Sequence, residues 1–60
     1  MELPKIGRAA TSALHHAGIY TLEQVSEHTQ KEIVALHGVG PKAIRILSET
    51  LEEASMKWKG

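Results

Sequence analysis

The 60-residue chain contains no cysteine. No disulfide framework and no thiolate zinc site can staple it, and a reducing, cytoplasmic setting is expected. Aspartate is absent too, and no serine stands at motif spacing from a plausible base. The residues of a nucleophilic or hydrolytic site are missing, so a binding module rather than an enzyme is expected. So short a chain also has too little bulk to enclose much of a pocket, which argues against a small-molecule substrate. No apolar run approaches the length of a membrane span, and Met1 leads into Glu2 and Pro4 rather than into a basic segment and an apolar run. No membrane partner is expected. Charge of one sign is lacking as well: seven basic residues balance seven acidic ones, so the total predicts no bulk attraction to polyanions.

Placement of the charges carries more information than their sum. Lys5, Arg8, Lys42 and Arg45 flank two turn-like stretches, whereas Glu49, Glu52 and Glu53 fall later and read as a solvated face, with Glu53 and Lys57 at a favourable i, i+4 spacing. The apolar period is helical throughout and no stretch alternates as a strand would, which predicts an all-α domain over residues 1–60. A first helix is expected from about Gly7 to Ala17, with Ala10, Ala13, Leu14 and Ala17 on its inner face and Gly18 as its stop. Thr21 with Gln24 and Thr29 with Glu32 have capping-box spacing and predict two short connector helices, near Leu22–Glu27 and Gln30–Leu36. A last helix opens with Pro41 at its first position and runs to about Met56 on a stripe of Ile44, Leu47, Leu51 and Ala54. The expected architecture is a compact bundle of four to five short helices.

Sliding the chain on itself by 33 residues pairs Leu3 with Leu36, Ile6 with Val39, Gly7 with Gly40, Ala10 with Ala43 and Leu14 with Leu47. This internal repeat predicts two copies of one unit, each an apolar residue, a tight turn and a helix start, related by a pseudo-two-fold axis. The first copy covers about residues 3–17, the connectors about 21–36, and the second copy with its long helix about 36–57.

The second copy contains Leu36-His37-Gly38-Val39-Gly40-Pro41-Lys42. A type II turn over Leu36–Val39 needs positive φ at its third position, which Gly38 supplies. Gly40 then caps the last helix, where the lack of a side chain lets a ligand approach the free N–H groups of the first turn. The N–H groups of Gly40, Lys42 and Ala43 at the positive end of the helix dipole would suit a phosphate, with Lys42 at the rim and Arg45 one turn on. The same Gly-apolar-Gly run also serves as a plain connection between helices. The flanking cations favour the phosphate reading.

LHGVGPKAIRIL resembles the helix-hairpin-helix motif, whose Gly-apolar-Gly turn binds nucleic-acid backbone without reading sequence, and LPKIGRAATSAL is similar to a weaker second copy. From Leu14 through Leu51 the chain also resembles the C-terminal domain of the bacterial RNA polymerase α subunit, in its Ile19 to Thr29 spacing, its Thr29–Glu32 box and the run Val39-Gly40-Pro41-Lys42. The resemblance implies double-stranded DNA as partner, contacted from the minor-groove side through backbone phosphates, and a bacterial transcription setting. By that resemblance and the flanking charges, the expected DNA contacts are Lys5, Gly7, Arg8, Ser12, Gly38, Val39, Gly40, Lys42, Ala43 and Arg45. Ala9 and Ser12 occupy the positions where the polymerase family carries an arginine and an asparagine, and Lys5 stands where the second copy has Gly38.

An alternative of a different class is a protein-interaction domain on the same scaffold, with a protein of the transcription machinery as partner; it has no need of the basic rim. His15, His16, His28 and His37 include no pair at i, i+4 and are read as solvated residues, so no metal or cofactor is expected. Trp58, between Lys57 and Lys59 near the terminus, is expected to pack loosely.

Overall fold

The computed structural model describes residues 1–60 and is helical, with no β-strand. Four α-helices follow one another: α1 (Arg8–His16), α2 (Leu22–Ser26), α3 (Gln30–Val34) and α4 (Pro41–Glu53). Their inner faces, with Ile19 and Val39 from the connections, supply one core of Ala10, Leu14, Ile19, Leu22, Val25, Ile33, Val39, Ala43, Ile44, Leu47 and Leu51, and no polar or charged residue is buried. Ala17, expected on the inner face of the first helix, is exposed because it lies at the C-cap where the chain turns away. A domain this small has little apolar area to spend. Every helix contributes to the one cluster because none could bury its stripe alone.

Both connector helices begin as their sequences predict. The Thr21 hydroxyl accepts from the Gln24 N–H at 3.2 Å while the Gln24 side-chain oxygen accepts from the Thr21 N–H at 3.1 Å. In the second box the Glu32 N–H donates to the Thr29 hydroxyl at 3.1 Å, and the Thr29 N–H donates to the Glu32 carboxylate at 2.8 Å. Helices of only 5 residues cannot persist on propensity, so these caps, together with the burial of Leu22, Val25 and Ile33, hold them.

The long helices end in the same way. After α1, the Ile19 N–H donates to the Leu14 carbonyl at 2.8 Å and the Gly18 N–H to the His15 carbonyl at 3.0 Å, with Gly18 at φ 80°. After α4, Met56 donates to Leu51 at 2.8 Å and Ser55 to Glu52 at 3.0 Å, with Ser55 at φ 59°. These are paired Schellman stops, one on glycine and one on serine. They put α4 at 13 residues against 9 for α1, one turn longer. The stop also ends α4 before Met56 and takes Lys57 off the helix; no Glu53–Lys57 ion pair forms, and Arg45 pairs with Glu49 instead.

Trp58 is not loose. It lies half-buried against the core, and its Nε1–H donates to the Ser48 hydroxyl at 3.0 Å. The Lys59 N–H donates to the His28 carbonyl at 3.0 Å, which ties the segment after α4 to the junction of α2 and α3. At the other end an isolated antiparallel bridge joins Glu2 to Thr21, and the amino group of Met1 pairs with Glu23. No helix is long and apolar enough to cross a membrane.

Candidate nucleic-acid interface

The Leu36–Gly40 hairpin has the expected geometry. The Val39 N–H donates to the Leu36 carbonyl at 3.1 Å, and Gly38, the third residue of that turn, has φ 101°. Gly38 meets a second demand that the sequence did not disclose: a Cβ there would stand 3.0 Å from the Ala9 carbonyl oxygen and 3.5 Å from the Ala13 Cβ. The hairpin is therefore seated on the first two turns of α1. Gly40 has an extended backbone, φ −101° and ψ 178°, and caps α4 without any side-chain hydrogen bond.

The first backbone bond of α4 runs from the Ile44 N–H to the Gly40 carbonyl at 3.1 Å. The N–H groups of Gly40, Lys42 and Ala43 meet no acceptor within the protein. No atom beyond its chain neighbours would lie within 4 Å of a Cβ at Gly40, so the approach to the cap is open. Lys42 is exposed and has no carboxylate partner, which leaves its charge at this helix end unneutralised. Arg45 is also exposed and touches Glu49 only at 4.0 Å, a surface pair of the kind worth at most about 1 kcal/mol. Val39 and Ala43 are 6% and 5% exposed and serve the core, so only their main chain is left to face a ligand.

The first copy of the repeat differs. Lys5 does not have positive φ, no Leu3 to Ile6 turn bond forms, and the left-handed residue is Gly7, at φ 95°, capping α1 directly. The expected tight turn is absent there because Lys5 stands where the turn needs glycine. The sequence repeat is real in its core positions and its helix start, and the turn geometry is not repeated.

Lys5, Gly7, Arg8 and Ser12 line one groove between the N-terminal segment and the outer side of α1. None of the six candidate residues from the second hairpin lines it. The ten residues thus form two neighbouring sets on either side of α1. Gly38 touches the helix at Ala9 and Ala13, while Arg8 and Ser12 look into the groove. Lys5 and Arg8 are exposed and unpaired by any carboxylate.

The same groove holds two residues that sequence reasoning left without a role. The rings of His15 and Tyr20 stack with centroids 5.0 Å apart and planes 27° apart. The signal was Gly18: the reversal it allows at the end of α1 folds Tyr20 back over His15. On the opposite side of α1, Ala13, His16 and Ala17 face Leu36 and His37 across a shallow cleft.

Residues 1–53 match the SAM-like helix-hairpin-helix tandem family, and the chain belongs to that family. It is also similar to part of the ATP-dependent DNA helicase Hel308 of Pyrococcus horikoshii, 35% identical over 51 residues that make up 85% of this chain and 7% of the helicase. The same named helicase of Pyrococcus abyssi is 36% identical over 44 residues, 73% of this chain and 6% of the relative. The chain thus spans less than a tenth of the length of these relatives. No solved structure matches.

Proposed function

We propose that this domain binds double-stranded DNA along its phosphate backbone, largely without regard to sequence, through the Leu36–Gly40 hairpin and the first turn of α4. The observation that carries the reading is the open cap at Gly40: free N–H donors at the positive end of a 13-residue helix, with the unpaired Lys42 beside them. Membership of the helix-hairpin-helix family and similarity to segments of DNA helicases support a nucleic-acid partner. Lys5 and Arg8 on the far side of α1 are suited to a second phosphate contact, on the other strand across the minor groove. The domain measures 26 × 21 × 20 Å, a footprint of about six to eight base pairs at ~3.4 Å per step. The resemblance to the polymerase α-subunit domain would add a transcription setting as a narrower proposal, while the relatives described above are helicases.

Backbone contacts position a protein and carry no sequence information, so substitution should weaken binding to every duplex by a similar factor. Four phosphates neutralised by Lys5, Arg8, Lys42 and Arg45 give a slope of log affinity on log salt of about −3.6, at about −0.9 each. Lys42→Ala with Arg45→Ala should flatten it to about −1.8 and leave the melting temperature unchanged, because both side chains are exposed. Fluorescence titrations of a labelled duplex at several salt concentrations measure this. If the folded wild type fails to bind at low salt, or the double variant keeps the full slope, the DNA reading falls and the protein-interaction alternative replaces it.

A further inference from the structure

We propose that the His15–Tyr20 stack is a platform for one unpaired nucleobase, the next base of the strand whose last paired phosphate Lys5 and Arg8 hold in the same groove. Tyr20 is 59% exposed, among the few large hydrophobic residues left open by a domain that buries its other apolar side chains well. It is not held there for packing: its ring rests on the exposed His15, and its N–H, not its hydroxyl, is bonded, to the Gln24 side-chain oxygen at 2.6 Å. Stacking on His15 fixes the ring and leaves its other face to solvent. A pre-ordered aromatic face beside unpaired cations is the combination that takes up single-stranded nucleic acid, since every base has a π-face and every nucleotide a phosphate.

Charge complementarity selects this occupant. Lys5 and Arg8 have no carboxylate partner, and Glu2 is the one acidic residue on the groove, so a net positive charge faces the space beside the rings. The inference rests on the DNA reading above and extends it: a domain seated on duplex through the α4 cap would hold the first unpaired base of a flanking strand at Tyr20, and so favour the boundary between duplex and single strand.

The test uses the whole chain and five DNAs: a blunt duplex of about 20 base pairs, that duplex with a five-thymine tail at the 5′ or at the 3′ end of one strand, and the same two with five-residue abasic tails. One stacked base contributes about 1–3 kcal/mol, so one of the thymine tails should tighten binding at least about 5-fold, and the abasic tails should not. Tyr20→Ala should abolish that gain and leave the blunt duplex unaffected; Tyr20→Trp should keep it. Free pentathymidine should also move the ring protons of Tyr20 and His15 upfield in NMR, a readout independent of any duplex contact. Equal gain from the abasic tails, a gain that survives Tyr20→Ala, or unmoved ring protons overturns the platform. Loss of blunt-duplex binding in the Lys42 and Arg45 variant alongside unmoved ring protons leaves the duplex reading standing and removes only this inference.

Discussion

The two glycines of the hairpin should respond to alanine in opposite ways. Gly38 carries φ 101°, and an added Cβ there would meet the Ala9 carbonyl at 3.0 Å, a backbone atom that cannot swing aside. Positive φ alone costs an L-residue about 1–2 kcal/mol, and relieving the contact means moving the hairpin off α1, so about 2–3 kcal/mol in all is expected for Gly38→Ala. A domain of this size has on the order of 3–9 kcal/mol to lose. At about 4–8 °C per kcal/mol, the melting temperature should fall by about 10–20 °C. Gly40 has ordinary extended angles and open space where its Cβ would stand. In Gly40→Ala the loss of about 0.5–1 kcal/mol at the cap is offset by about 0.4–1 kcal/mol from a stiffer unfolded chain, so stability should stay within about 0.5 kcal/mol of wild type. Duplex affinity, however, should drop about tenfold or more, because the new methyl group intrudes on the approach to the Lys42 N–H. Thermal melts followed by circular dichroism, with duplex titrations of both variants, separate the two effects. Wild-type stability in Gly38→Ala would refute the strain argument, and wild-type affinity in a stable Gly40→Ala would refute phosphate docking at the cap.

Two further outcomes concern stability. Ser55 is exposed and left-handed at φ 59°, at the place where α1 uses Gly18, so Ser55→Gly should raise the melting temperature by about 2–8 °C, from about 0.5–1 kcal/mol of relieved strain; a lower value would mean that Ser55 is held by something other than the helix stop. Hydrogen bonds from Thr29, its backbone N–H first, hold the Glu32 carboxyl below its usual 4.5. Its folded pKa is the lower one, so its contribution is complete above about pH 4.5 and is lost as the pH falls through the depressed value. Melts between neutral pH and about pH 2.5 should show the wild type losing stability in that acid window more steeply than Glu32→Gln. Parallel curves would assign the loss to Glu23, which is lowered in the same direction by the chain's amino group.

What could be read from the residues was whatever a local rule enforces. Threonine three positions before glutamine or glutamate has few alternatives to a capping box, and both boxes form. Proline after glycine starts α4, and Gly18 stops α1, because each residue type removes the competing backbone states. The misreadings came where a helix stop or a tertiary contact overrides spacing. Glu53 and Lys57 have helical separation, yet the stop at Ser55 intervenes; nothing in the residue type announces it, since serine seldom takes that conformation. Trp58 stands near the C-terminal end of the chain, and its bond to Ser48, ten residues back on α4, together with the neighbouring Lys59–His28 bond, holds it against the core.

The failed half of the repeat bears most on function. In ungapped register Lys5 replaces the turn glycine, and the chain answers by moving the left-handed residue from the turn to the cap, from the position of Gly38 to Gly7. A hairpin that offers main-chain donors around a glycine turn thus becomes, in the first copy, an extended segment whose lysine reaches into a groove beside Arg8. On the proposed reading the second copy would grip through its backbone and the first through its side chains. An asymmetric pair of this kind has no reason to meet two strands of a duplex in the same way, and the aromatic stack lies on the side-chain half. On the proposed reading Lys5 and Arg8 take the second strand at its last paired phosphate, and the next base of that strand, once unpaired, meets Tyr20 in the same groove.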